Sequence, residues 1–388
     1  MSTPKSILPT ALAGMAILAL AMGIGRFAFT PLLPLMLSEG LVSVSDGGVL
    51  ASVHFLGYLL GAVFAGRFTR FPKRTLQISL VTIGVSTLGM GLTENFTAWL
   101  IFRWLCGFCS AFALLLVSNY YIKHLEEAGQ AQLQGWVFAG VGAGIALVGL
   151  GTLGFMANQI DSALSWQIFG VIALAGSVAV FTQMGHEIPA RLPALERHET
   201  SRTPLVWSIV VAYGVMGLGY IIPATYLPVM AQEVVKSPLI FGWGWPVFGA
   251  AAFLSTLLAA RLHAHFSNRH IWAVSQIVMA TGLLLPVIYQ HIATIILGGV
   301  CVGGTFVIIT MAGIKEAHRI ASAGDVHRHI AAITAAFATG QMVGPALAGW
   351  IYDTTQSFSA SLIMTSAALA ATAIPLVGRP SRAGLLHR

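Results

Sequence analysis

The 388 residues are 56% hydrophobic and only 9% charged, and 20 Lys and Arg against 13 Asp and Glu leave a formal net charge of +7. Soluble domains hold roughly 25% charged residues, so a mean hydropathy of +0.82 along the whole chain excludes a single water-soluble core. Apolar runs of about 20 residues, the length an α-helix needs to cross a hydrocarbon core, recur throughout, without the alternation that barrel strands show.

In chain order, twelve membrane-spanning helices are expected. The first six lie near 9–37, 46–66, 76–92, 97–122, 133–156 and 165–185, and the second six near 205–232, 241–262, 270–290, 292–314, 328–352 and 358–377. The opening run follows Lys5, is longer than a signal-peptide core and lacks a small-residue cleavage site, so it reads as a retained span. Residues 186–204 (HEIPARLPALERHETSRTP) mix charges of both signs with three prolines and read as a linker. It separates an N-terminal six-helix half, 1–185, from a C-terminal six-helix half, 205–388. The other loops leave no room for a soluble catalytic domain, and no nucleotide-binding loop is apparent, so neither an enzyme nor a cofactor is expected.

The two halves share a repeat. Residues 22–36 (MGIGRFAFTPLLPLM) and 216–230 (MGLGYIIPATYLPVM) align at an offset of 194, with Gly23/Gly217, Gly25/Gly219 and Pro34/Pro228 among the identities. Arg67 and Arg261, each ending the second run of its half, keep the same offset. An even number of spans separates the copies, so the repeat is parallel and implies a pseudo-two-fold axis along the membrane normal. Orientation follows from the basic residues: placing both termini in the cytoplasm puts 17 of the 20 Lys and Arg on that side, leaving Lys236 outside and Arg26 and Arg103 within spans. That bias, with anionic lipid as the partner, accounts for the net charge without nucleic acid.

Three segments carry a family resemblance. In the fourth run, Arg103-Trp104-Leu105-Cys106-Gly107-Phe108-Cys109-Ser110-Ala111 sets an intramembrane Arg before small residues at four-residue spacing. After the second run, residues 61–74 (GAVFAGRFTRFPKR) form a basic loop, and the fifth run is glycine-rich from Gly135 to Gly149. These resemble motifs B, A and C of the major facilitator superfamily, although the loop lacks motif A's usual Asp and the fifth run lacks motif C's proline. Within that superfamily MGIGRFAFTPLLPLM is similar to the bacterial YbfB/YjiJ branch. The resemblance implies an all-α membrane protein of the major facilitator fold, in a bacterial inner membrane, working by alternating access. It implies a gating role for Arg67 and Arg70 and a coupling role for Arg103, and it supplies no substrate.

The residues suggest one. Arg26 lies near mid-membrane, where a central Arg costs about 2.5–3.5 kcal/mol on insertion scales and normally faces a bundle interior or aqueous cavity. None of the thirteen Asp and Glu sits deep in a span. Two buried arginines without buried acids make a positive cavity that an anion neutralises and a cation avoids, and the guanidinium fork suits a carboxylate or phosphate. A small anionic organic solute is therefore the expected cargo. Tyr220, the repeat counterpart of Arg26, and Gln341, in GQMVGPALAG of the eleventh run, are expected to help bind it, with Tyr58 and Tyr226 as further hydroxyls. Helices one, four, seven and ten are expected to line the path. His54 is the expected proton carrier, since imidazole titrates near physiological pH; exchange for a counter-anion fits the residues equally.

No metal is expected. Cys106-x-x-Cys109 within a span reads as packing, and the histidines at 263, 265, 270, 318, 327 and 329 read as solvated basic loops. Two rival functions remain: proton-driven efflux of amphipathic or drug-like compounds, suggested by the aromatic and methionine content, and a non-transporting membrane sensor, which would not require matched polar breaks in both halves.

Overall fold

The computed structural model describes residues 7–68, 71–184, 203–322 and 325–377. Every regular element among them is helical. The long helices are α1 (Leu8–Ser38), α2 (Val44–Phe68), α3 (Pro72–Met90), α4 (Phe96–Glu127), α5 (Gln134–Ala157), α6 (Ser162–Gln183), α7 (Trp207–Val234), α8 (Gly244–His265), α9 (Asn268–Ile288), α10 (Ile292–Ile320), α11 (Val326–Thr355) and α12 (Ser359–Val377). Among the described residues, eleven helices are long and apolar enough to cross a membrane. The exception is α3, which has the length but carries Lys73, Arg74 and Gln77 in its first turns.

Helix boundaries fall close to those expected, with one informative departure. α10 continues to Ile320, six residues past the expected end at 314. Its last turns are polar, and they hold because buried Glu316 accepts from Arg269 Nε at 2.5 Å and from Arg319 Nη2 at 2.7 Å. The paired acid lets the helix leave the apolar layer without an orphan charge.

Packing follows a pattern. Helix α1 packs on α5, α2 on α4, and α3 on both α4 and α6; the same set recurs six helices later as α7 on α11, α8 on α10, and α9 on both α10 and α12. The two groups meet along α2–α11, α5–α8 and the second part of α1 against α7. The hydrophobic cores are distributed unevenly between these groups. One cluster is continuous across both, joining Phe29, Leu32 and Leu33 of α1 to Ile222, Tyr226 and Leu227 of α7. A second cluster, around Ala11, Leu80, Leu116 and Val137, belongs to the first group alone. The groups are thus fused toward the ends of α1 and α7 and separate toward their beginnings.

Helix α5 shows the same divergence. A methyl group added to Gly149 would meet Pro246 of α8 at 2.7 Å, so the absent side chain is what allows the helices to touch. At Gly135, near the start of α5, the nearest α8 atom would be the Thr256 carbonyl oxygen at 3.9 Å. Gly149→Ala should therefore lower the melting temperature of the detergent-solubilised protein, by an overpacking penalty of about 1–3 kcal/mol. Gly135→Ala should leave it unchanged or raise it, because Ala favours a helix over Gly by roughly 0.5–1 kcal/mol. Equal losses at both positions would contradict the wedge.

Candidate functional site

The site begins with a break in α1. Its first α-helical part, Leu8–Leu18, passes into a π-helical segment, Ala19–Ile24, and regular helix resumes only at Phe29. The wide turn shows in the bonds Gly25 N–H to Leu20 carbonyl and Phe27 N–H to Met22 carbonyl, both 3.0 Å and both five residues back. Pro31 and Pro34 contribute because neither has an N–H to return to the preceding turn. Arg103 of α4 repairs this break. It is 2% exposed, donates from Nη1 to the Gly25 carbonyl and from Nη2 to the Arg26 carbonyl at 3.3 Å each, and lies 4.8 Å over the Phe29 ring. Arg103 therefore fastens the backbone of α1 rather than adding a second free charge to the cavity, as the sequence suggested.

Arg26 is placed differently. It is 6% exposed, and among the described residues no carboxylate lies within ion-pair distance of it. Its Nη2 donates to the Tyr220 hydroxyl at 2.6 Å, and its Nε has no partner. Three ring faces surround the guanidinium: Phe27 at 5.2 Å, Phe55 at 4.7 Å and Tyr58 at 5.0 Å. Such contacts contribute about 0.5–2 kcal/mol each, which is how the fold holds this charge without an acid.

Tyr220 faces Arg26 across the junction of α1 and α7, at the repeat offset of 194. One turn further along, the Thr30 hydroxyl donates to the Ala224 carbonyl at 2.6 Å, again 194 residues apart. That carbonyl is free because its helical donor would be residue 228, which is proline. The Tyr220 ring stacks on Phe306 of α10 (5.0 Å, 7°) and on Phe337 of α11 (5.7 Å, 5°).

A cavity of about 180 Å³ lies beside these groups. Its wall comes from the four expected helices, α1, α4, α7 and α10, and also from α2, α5 and α11, which contribute Tyr58, Val141 and Phe337. Arg26 and Tyr220 stand at its closed end. Beyond them Thr30, Leu33, Tyr226 and Leu227 are buried, and the Tyr226 hydroxyl donates to the carbonyls of Pro345 at 2.9 Å and Val44 at 3.2 Å. In the other direction the wall ends at Ile314, which is 36% exposed.

Gln341 and His54 fall outside the wall. Gln341 is fully buried behind Tyr220, with Nε2 donating to the Tyr220 hydroxyl and Oε1 unpartnered. It supports the tyrosine and does not line the cavity. His54 is 0% exposed and both ring nitrogens lack partners; it packs edge-on against Phe55, whose ring lies under Arg26. Arg70 and the side chain of Arg67 lie outside the described residues. Thr30, Phe306 and Phe337 are site residues that sequence reasoning passed over. For Thr30 the signal existed, as a hydroxyl set by the repeat opposite the carbonyl that Pro228 leaves without a donor.

Comparison with known proteins places this arrangement. A family model described as uncharacterised MFS-type transporter YbfB matches residues 18–377. The chain belongs to the YbfB family of MFS-type transporters. It is 24% identical over 339 residues to an MFS-type transporter of Yersinia pestis (strain Pestoides F), covering 81% of this chain and 82% of that one. It is 25% identical over 353 residues to the MFS-type transporter YceJ of Bacillus subtilis (strain 168), covering 87% and 88%. A crystal structure of a mutant of the nucleoside transporter NupG superposes with a TM-score of 0.75 over 95% of this chain and 98% of that one, at 12% identity, so the two share a fold. Family and fold make the protein a multi-pass membrane transporter and not an enzyme.

The two arginines should separate in stability measurements. Arg103→Ala strands two buried carbonyls at about 1–3 kcal/mol each and should lower the melting temperature sharply. Arg26→Ala loses one neutral hydrogen bond and three ring contacts but also relieves the cost of an unpaired buried charge, and should lower it much less. The reverse order would show that Arg26 is the structural residue.

Proposed function

We propose that the protein is a secondary transporter that moves a small organic anion by alternating access, with Arg26 as the anion anchor. The observation that carries this reading is a guanidinium at the closed end of a central cavity with no carboxylate among the described residues to neutralise it. A charge in a low-dielectric site favours an opposite charge strongly, and the vacant hydrogen-bonding capacity at Nε suits a carboxylate. A cation would meet only repulsion. Drug-sized ligands occupy pockets of roughly 300–1,000 Å³, so a cavity of about 180 Å³ favours the small anion over efflux of large amphipathic compounds.

The recurrence of helix contacts six helices apart and the bonds between positions 194 apart support twelve membrane-spanning helices, α3 included, in two pseudo-symmetric halves, 1–185 and 205–388, joined by a linker at 186–204. Both bonds sit where the pseudo-two-fold axis passes between α1 and α7. With the basic residues on the cytoplasmic side of a bacterial inner membrane, the cavity opens to the cytoplasm and the α1–α7 junction closes the outside. An anion arriving at Arg26 competes with the Tyr220 hydroxyl for the guanidinium. It thereby weakens one of the ties holding the outer side shut. Arg103 serves coupling by keeping the broken α1 in one piece as the halves rock. His54, buried and unpartnered near the Arg26 cage, is the proton carrier of this scheme.

Reconstituted in proteoliposomes and screened against labelled organic acids, the protein should take up an anion. Arg26→Ala should reduce that uptake by about 100-fold or more, the scale of breaking a buried charge pair at about 3–5 kcal/mol, and Arg26→Lys should keep a fraction of it. Full uptake by Arg26→Ala would refute the anchor. His54→Gln should retain anion exchange yet lose stimulation by a proton gradient; a mutant still driven by that gradient would remove His54 from the coupling step and leave counter-anion exchange as the alternative.

A further inference from the structure

We infer that the cargo is a compact monocarboxylate with a flat apolar body, an aromatic acid of about benzoate size. This rests on the anion reading of the cavity and narrows it in three respects.

The first is charge. Two arginines are buried near the site, but Arg103 is committed to the carbonyls of Gly25 and Arg26, and among the described residues Arg26 is the one cation on the cavity wall. A dianion would bring a second charge with no partner into an apolar enclosure, an expensive transfer. One guanidinium therefore selects one negative charge.

The second is the scarcity of free hydrogen-bonding groups. Away from Arg26 the wall is formed largely by Met22, Leu114, Phe138, Val141, Phe306 and Phe337. Among the described residues no amide, imidazole, amine or carboxylate side chain lines it. Six hydroxyls stand on it, those of Tyr58, Ser118, Tyr213, Tyr220, Thr310 and Thr334, and three are engaged already: Tyr220 accepts from Arg26 and Gln341, Thr310 Oγ1 donates to the Phe306 carbonyl at 2.8 Å, and the Tyr213 hydroxyl donates to the Thr310 carbonyl at 3.4 Å. A sugar acid, a nucleobase or a phosphorylated polyol would surrender its hydrogen bonds to water and find few in return, at about 1–3 kcal/mol for each buried group left unpaired.

The third is shape. Tyr220, Phe306 and Phe337 stand as near-parallel rings in a stacked row beside the anion anchor, and all three line the cavity, so a flat apolar body meets aromatic carbon there. The cavity of about 180 Å³ equals roughly six waters at about 30 Å³ each, enough for a single ring bearing a carboxylate.

The test is thermal stabilisation of the purified full-length protein by four probes, each titrated over the same micromolar-to-millimolar range at constant ionic strength. They are benzoate, benzyl alcohol with the ring and no charge, acetate with the charge and no ring, and succinate with two charges. A ligand of the native fold raises the melting temperature by mass action. Benzoate should do so at concentrations at least about tenfold below any other probe, the discrimination that a lost apolar contact supports. Arg26→Ala should abolish the benzoate shift. If that variant does not fold, the neutral and similarly long Arg26→Gln makes the same comparison. Phe306→Leu, which keeps the wall apolar but removes a stacking ring, should weaken benzoate several-fold and leave acetate unchanged. Stabilisation by succinate or acetate as strong as by benzoate would overturn the apolar-body inference while leaving the anion anchor intact. A benzyl alcohol shift equal to that of benzoate and indifferent to Arg26 would overturn both, and so would no shift with any of the four.

Discussion

One buried positive charge without a counter-charge organises this molecule. Arg26 sits where the two helix groups meet, and the fold holds it by means that stop short of neutralising it: a phenol hydroxyl and three aromatic faces. A carboxylate in place of Tyr220 would have made a closed ion pair, stable and inert. The neutral partner holds the guanidinium in position and leaves its charge available. The surrounding features either support that residue or shape the space in front of it.

The break in α1 depends on the same economy of hydrogen bonds. A π-helical segment followed by two prolines frees carbonyls in the middle of an apolar layer, where each orphan group would be costly. Each repair comes from another part of the chain. Arg103, 77 and 78 residues away, takes two of the α1 carbonyls, and Thr30 supplies the donor that Pro228 lacks in α7. The defects thus become joints. The α4 joint holds α1 within its own group, whereas the Thr30 joint ties the groups to each other at one end only. Besides the shared apolar cluster, four hydrogen bonds among the described residues make that junction: Arg26 to Tyr220, Thr30 to Ala224, Tyr226 to Val44 and Ala346 to Ser52. The wedge between α5 and α8 provides room for movement at the other end.

Much of the architecture was legible in the sequence. Apolar runs marked the membrane helices because hydrocarbon demands about 20 apolar residues per crossing, and most boundaries agreed within a few residues. The end of α10 was misjudged because the charges that appeared to terminate it neutralise one another through Arg269, a partner 47 residues away. Arg26 and Tyr220 stand together on the cavity wall; the sequence singles out the first by its cost in the membrane and the second by the repeat. Two site expectations shifted in meaning. Gln341 looked like a ligand residue because it is polar in an apolar helix, but its amide is absorbed by Tyr220. Arg103 looked like a second anionic attractor because a sequence reports its charge and omits the carbonyls it meets.

What the sequence determined alone was the solvent, the helical class and the repeat, since these depend on composition and spacing along the chain. What the tertiary structure decided was which buried charge is free, on which side the groups are parted, and how little of the cavity wall is polar. Those facts depend on hydrogen-bond partners contributed from 77 to 194 residues away, and a linear pattern carries no record of which donor reaches which acceptor until the helices have packed.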